Sequence, residues 1–215
     1  VSTVRALAQQ ERVELADLLD TLTPQQWDTP SLCAGWTVRD VVTHTITYLD
    51  QTRSGLFIDM VRSRWNVDRL NARALDRIGA QSLDQTVGQM RRGAEPSGAG
   101  ALYDGRVALI ECLIHQQDIR RPLGVLRTVP QDRLRVSLNF ARMSPVIGGA
   151  RRTRGVQLVA TDMNWSAGHG PAVLGTAEAL LLVMTGRFEA VADELHGDGA
   201  PSLRQFHASG HRPPS

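Results

Sequence analysis

Residues 105–121 read GRVALIECLIHQQDIRR. Val107, Ala108, Leu109, Ile110, Cys112, Leu113 and Ile114 leave this segment almost without a polar side, and Pro122 and Gly124 terminate it. A helix that is apolar all round is buried on several faces, so the segment predicts a helix inside a bundle. Glu111 and His115 stand four apart and project from one face of it. Burying an ionised carboxylate there costs several kcal/mol unless something positive or protic meets it, and nothing basic lies on the helix before Arg120. A divalent metal answers that need, because a carboxylate and an imidazole at this spacing make half of a metal site. A Glu–His hydrogen bond at a bundle seam answers it too.

Outward from this segment, helix signals dominate. Between Ser2 and Leu22 the apolar residues Val4, Leu7, Ala8, Val13, Leu15, Leu18, Leu19 and Leu22 recur mostly at spacings of three and four, which is one buried helical face. Thr23-Pro24-Gln25-Gln26 reads as an N-cap, a first-turn proline and a capping-box glutamine, opening a short helix that stops before Pro30. Thr37 caps a long helix with no Gly or Pro until Gly55, and the pattern resumes over 56–78 with a break near Asn66. Ser82-Leu83-Asp84-Gln85 is another capping box, and its helix ends in the Gly/Pro/Ser loop 93–100.

After a helix over 131–142 and a Gly/Arg-rich connector over 148–155, the period changes. Val156, Leu158 and Ala160 alternate with Gln157, Val159 and Thr161, which predicts a strand, and Asp162-Met163-Asn164-Trp165 predicts a turn into a second one. A helix over 176–185 closed by Gly186, a shorter helix ending at Gly197 and a polar tail complete the chain.

His44 lies at the edge of the stripe Val38, Val41, Val42, Ile46 and Leu49. By itself it reads as a satisfied core histidine, but from a neighbouring helix it would complete a His, Glu, His set with an open fourth position. Asp118, three residues after His115, is placed either to hold a ligand imidazole in one tautomer or to pair with Arg121. His169 sits in a Gly-rich loop, and His196, His207 and His211 fall near the polar C-terminus, where solvent is the expected surrounding. Cys33 and Cys112 have no local base partner, which argues against a nucleophile. Trp36 and Trp165 are read as packing residues.

Composition narrows the function classes. The 24 basic residues nearly cancel 22 acidic ones and are spread along 215 residues, with Arg151, Arg152 and Arg154 as the densest cluster, so no nucleic-acid footprint is expected. All of the basic residues are arginine, a bias that fits a GC-rich bacterial genome. Two cysteines make no disulfide framework, pointing to a reducing cytoplasm. No apolar stretch reaches the ~18 residues of a membrane span, and Arg5, Glu11, Arg12, Glu14 and Asp17 interrupt the apolar core that a secretory signal would need.

Three segments resemble a known family. Residues 18–49, LLDTLTPQQWDTPSLCAGWTVRDVVTHTITYL, resemble the opening of the mycothiol-dependent maleylpyruvate isomerase-like proteins of the DinB-like superfamily. Residues 111–124, ECLIHQQDIRRPLG, are similar to that family's Glu-x-x-x-His motif with its following Asp and terminal Leu-Gly. Residues 158–187, LVATDMNWSAGHGPAVLGTAEALLLVMTGR, look like its C-terminal hairpin and helix. Gln117 and Pro122 depart from the family pattern, and the C-terminal region looks short for a full isomerase.

The resemblance implies a mainly α fold: a DinB-like four-helix bundle over 1–147 and a short C-terminal α/β extension over 148–215, a β-hairpin plus helix packed on the bundle. It implies a divalent metal, zinc by ligand type, held by His44, Glu111 and His115, with Asp118 behind the ligands. It also implies mycothiol, the low-molecular-weight thiol of actinobacteria, as the cofactor activated at that metal. The expected protein is a cytoplasmic monomer or homodimer that binds no nucleic acid or membrane and acts on a small electrophile as a thiol transferase or isomerase, in detoxification. A metal-dependent hydrolase and a non-catalytic, stress-associated metal-binding bundle are the alternatives. Arg187 matches the arginine closing the third motif and is placed to grip an acidic substrate or the thiol cofactor, or to cap carbonyls at a helix end.

Overall fold

The computed structural model describes residues 2–49, 51–64, 69 and 81–209. The chain forms two compact units, one running to Arg127 and the other starting at Thr128. The helix over 131–143, which the sequence boundary at 147 assigns to the bundle, therefore falls in the second unit, where it packs on other elements of that unit.

The first unit contains α1 (Val4–Thr21), α2 (Pro24–Trp27), α3 (Val38–Thr47), α4 (Arg53–Arg62), α5 (Leu83–Arg92) and α6 (Arg106–Arg120). Helices α1 and α3 each pack against both α5 and α6, which makes the four a bundle. Its core joins Leu15, Leu19, Trp27, Val41, Met90 and Ile119, among others. Each such side chain contributes roughly 1.5–3 kcal/mol when fully buried. The capping boxes form as read: Thr23 with Gln26 and Ser82 with Gln85 satisfy each other's backbone donors, and Thr37 does the same with Asp40.

Helix α3 is shorter than its apolar pattern suggests. It ends at Thr47, and Thr52 then accepts from the Gly55 N–H to start α4, so Gly55 sits inside a first turn rather than at a stop. The expected break at Asn66 and end at Ile78 lie outside the described residues. Helix α6 begins at Gly105 with φ of 85°, and a side chain at Gly105 would come within 3.2 Å of the Arg5 backbone, so only glycine fits this entry.

Glu11 of α1 is fully buried and answered by the Arg127 guanidinium and by Gln116 Nε2 at 2.9 Å, which ties the end of the unit back to its first helix.

The second unit holds α7 (Gln131–Met143), α8 (Gly149–Arg152), β1 (Gln157–Ala160), β2 (Ser166–Gly168), β3 (Ala172–Gly175), α9 (Ala177–Met184) and α10 (Ala200–Ala208). Strand β1 is central, antiparallel to β2 and parallel to β3, with Leu158 opposite Ala167 on one side and Val173 on the other. The expected hairpin is therefore part of a three-stranded sheet. Helix α9 packs on α7, α8 and β1. Two 3₁₀ turns, Phe188–Ala190 and Ala192–Glu194, replace the expected short helix, and the residues read as a polar tail include α10, whose Ala200 and Leu203 are buried. Among the described residues no helix is long and apolar enough to cross a membrane.

Candidate metal centre

Helix α3 ends one turn beyond His44, and α6 lies against it with Glu111 and His115 facing across. One ligand atom from each of these three residues lies within 4.8 Å of the others, the spread that a single ion spans. The two imidazoles meet edge to face with ring centroids 5.0 Å apart, and each residue is 8% exposed. Trp36 and Tyr48 flank His44 with their rings at 5.2 and 5.0 Å. Glu111 Oε1 is buried with no hydrogen-bond partner among the described residues. A buried carboxylate oxygen left open beside two imidazoles is the position an ion would complete, so the donor set fits a divalent metal.

Behind the three stands Asp118, fully buried, whose Oδ2 lies 2.9 Å from His115 Nδ1. That contact fixes the imidazole's orientation and turns its other nitrogen, Nε2, away from the carboxylate. The loop before α3 is pinned to the same spot: Leu32 N–H donates to the Asp118 carbonyl at 3.1 Å, and the Cys33 thiol donates to Asp118 Oδ2 at 3.2 Å. Cys33, His115 and Asp118 thus form a second convergent group. Cys33 does have an acidic neighbour, brought from 85 residues away, which the local sequence did not offer. Cys112, by contrast, is fully buried and its thiol is pushed well above its ordinary range by burial and then by Glu11.

The charges are strongly coupled. Burial pushes Glu111 above the usual carboxylate range, with His115 and Arg12 pulling the other way. Burial alone would lower His115, but hydrogen bonding to Asp118 and Cys33 and the charges of Asp118 and Glu111 raise it to about 9. Burial, then Glu111 and Asp59, push the Tyr48 phenol above its ordinary value, which keeps it protonated at neutral pH. Arg12 is a component that the sequence pattern did not single out. It is fully buried, donates from Nη1 to the Gly93 carbonyl at 3.0 Å, and supplies from α1 the positive charge that α6 lacks.

Arg187 belongs to the second unit, where its Nη1 donates to the Thr185 carbonyl at 2.6 Å just past α9, a helix-end contact. His196 is exposed as expected, with only its backbone paired to Leu174, whereas His207 is half-buried and stacks on Phe188 at 4.4 Å; His211 lies outside the described residues.

Residues 8–56 match the family model of the mycothiol maleylpyruvate isomerase N-terminal domain, over the segment that carries His44. The fold is similar to the crystal structure of the mycothiol-dependent maleylpyruvate isomerase, with a TM-score of 0.61, 14% identity and 92% of each chain covered. A histidine-to-alanine mutant of that isomerase matches with a TM-score of 0.60 at the same identity and coverage. The chain thus spans nearly the whole length of that protein. No curated protein sequence matches this chain.

Proposed function

We propose that this chain, whose residues 8–56 match the model of the mycothiol maleylpyruvate isomerase N-terminal domain, is a metal-dependent thiol enzyme, a mycothiol S-transferase or isomerase acting on a small electrophile in detoxification. The observation that carries the reading is the open Glu111 oxygen beside two buried imidazoles. His44, Glu111 and His115 would hold the ion, and two nitrogens with one oxygen suit zinc. When bound, the metal supplies the positive charge that takes a thiol from its free pKa near ~8.5 to the thiolate at neutral pH.

The chain's own residues prepare that chemistry. Asp118 holds the proton of His115 on Nδ1 and leaves Nε2 as the donor nitrogen. Trp36 and Tyr48 cover His44 with ring faces and edges, which limits water at the site and keeps its charges poorly screened. Tyr48 stays protonated beside the site, held so by burial and then by the charges of Glu111 and Asp59. Burial raises the Glu111 carboxyl, and His115 and then Arg12 oppose that rise, favouring the charged form that a metal requires. A reducing cytoplasm in an actinobacterium, the setting of mycothiol, completes the reading and agrees with the all-arginine composition.

Elemental analysis of protein purified without a histidine tag, followed by titration of the cobalt-substituted form with mycothiol, tests the reading. One ion per chain and a new sulfur-to-metal charge-transfer band are expected. Ester or amide turnover with no band on adding thiol would replace it with a metal hydrolase. A bound ion with no turnover of any kind would leave a metal-binding bundle.

A further inference from the structure

The second unit has a concavity that the metal centre does not use. A cavity of about 300 Å³ opens where α7, α8, β1, β2 and α9 meet. Its lining divides by chemistry. Val156, Leu158 and Met184 form an apolar floor and are 2, 1 and 1% exposed. Arg142, Arg154 and His169 form an exposed basic rim, and no aspartate or glutamate lines the cavity.

Each rim residue has an ordinary explanation taken singly. Arg142 lies in the last turn of α7, where a cation offsets the helix dipole, and Arg154 and His169 sit in exposed connectors. Convergence on one concavity is not explained that way. Among the described residues neither Arg142 nor Arg154 has a carboxylate within ion-pair distance. More positive charge stands close by: Arg151 and Arg152 both reach toward Gly148, and Arg152 also reaches toward Gly186. The charged form of Arg152 is disfavoured by burial and then by Arg151 and Arg187. Arg142 and Arg154, with no carboxylate in ion-pair reach among the described residues, add like charge to one concavity, and an anion between them relieves that cost. Gly155, at the lip, has φ of 84° and nothing within 4 Å of where a side chain would start, so the mouth is open.

We propose that this cavity binds a small amphiphilic anion, a carboxylate carrying an apolar body of medium-chain or single-ring size, with the carboxylate at the Arg142–Arg154 rim and the body on the Val156–Leu158–Met184 floor. The site does not rest on the metal reading, because none of its residues belongs to the first unit. Guanidinium groups match a carboxylate's two oxygens in one plane, and the floor removes hydrocarbon from water, so both halves of the ligand are required.

The probe is octanoate, followed by two-dimensional amide NMR of the full chain. Saturable shifts are expected at Gly155, Gly168 and His169, with a Kd on the order of 1 mM or tighter. The R142Q/R154Q double variant changes only exposed side chains and should keep the wild-type melting temperature while weakening octanoate at least tenfold. Octanamide, with the same body and no charge, should not saturate, and inorganic phosphate, with charge and no body, should bind at least tenfold more weakly than octanoate. Octanoate shifts that never saturate, or that persist unchanged in the double variant, would overturn the site. Equal binding of octanamide would remove the role of the arginines, and equal binding of phosphate would remove that of the floor; either result overturns the amphiphilic assignment.

Discussion

Helices α6 and α9 both look like hydrocarbon rods in the sequence, and both are buried nearly all round, yet their contents differ. In α9, Ala177 and Ala179 to Met184 are at most 1% exposed, and Glu178, its charged residue, stays half-buried at the first turn. In α6, His115, Gln116, Gln117 and Asp118 are buried among Leu109, Leu113 and Ile119, and the half-buried Glu111 adds a buried Oε1. Hydrocarbon in α9 only stabilises. Polar groups in α6 cost desolvation and return it only through partners: Gln116 finds Glu11, Asp118 finds His115 and Cys33, and one oxygen of Glu111 finds none among the described residues. A buried helix with Glu111, His115 and Asp118 on one face is thereby marked as a site, whereas an equally buried one without such a set is marked as core.

The largest effect expected from breaking this contrast is on metal content. The His44→Ala, His115→Ala double variant should lose stoichiometric metal by elemental analysis, since Glu111, the one ligand left, cannot hold an ion alone. Leu181→Ala in α9 should leave metal content untouched. One ion per chain in the double variant would falsify the ligand assignment.

Stability should move in the opposite sense. Leu181 is fully buried, so Leu181→Ala should cost about 2–5 kcal/mol in urea unfolding by opening a cavity. Glu111→Gln removes a buried charge with a raised pKa and should stabilise the metal-free chain at pH 7 by about 1 kcal/mol while weakening metal binding. A loss of stability in Glu111→Gln would mean that the carboxylate is better compensated by Arg12 than its open oxygen indicates.

A smaller effect sharpens the roles within α6. Asp118→Asn keeps the shape but exchanges an acceptor-only group for an amide, and should lower metal affinity roughly ten- to a hundredfold without unfolding the protein. Cys33→Ala removes one of the contacts at the same carboxylate and should do less. Equal affinity in wild type and Asp118→Asn would reduce Asp118 to a buried anchor for the Leu32 loop.

Much of this was legible locally. Thr23 with Gln26 and Ser82 with Gln85 announce their helices within four residues, and Glu111 with His115 announces a shared face by spacing alone. Joining His44 to them needed α3 to lie on α6, which the spacing does not state and the resemblance supplied. Strand β3 was missed because four residues between Pro171 and Thr176 carry too little alternation, and their order comes from pairing with β1. Helix α10 was missed because its buried contribution is only Ala200 and Leu203, so the segment reads as polar. Arg12 and Cys33 were undervalued for one reason: their partners, the Gly93 carbonyl and Asp118, come from distant segments of the chain.

The smallest predicted effect is a slope with pH in the metal-free chain. His115 is raised from 6.5 to about 9, so the folded state binds its proton more tightly than the unfolded state does. The stability it contributes is fully present below 6.5 and is lost as pH rises through about 9. Glu111 is also raised, and its charged form costs more as pH climbs past the ordinary carboxylate range, so the two slopes have the same sign. Urea unfolding of metal-free protein should therefore show falling stability from pH 6 to pH 9.5. Zinc-loaded protein should show a rising stabilisation by metal over the same interval, because the ion displaces the proton that His115 otherwise keeps. Asp118→Asn should flatten the metal-free slope by removing the main group that raises His115, whereas Leu181→Ala should lower the whole curve and keep its slope. A metal-free curve that rises with pH, or an unchanged slope in Asp118→Asn, would show that His115 is not held protonated by this pair and that the buried face of α6 is tuned by other groups.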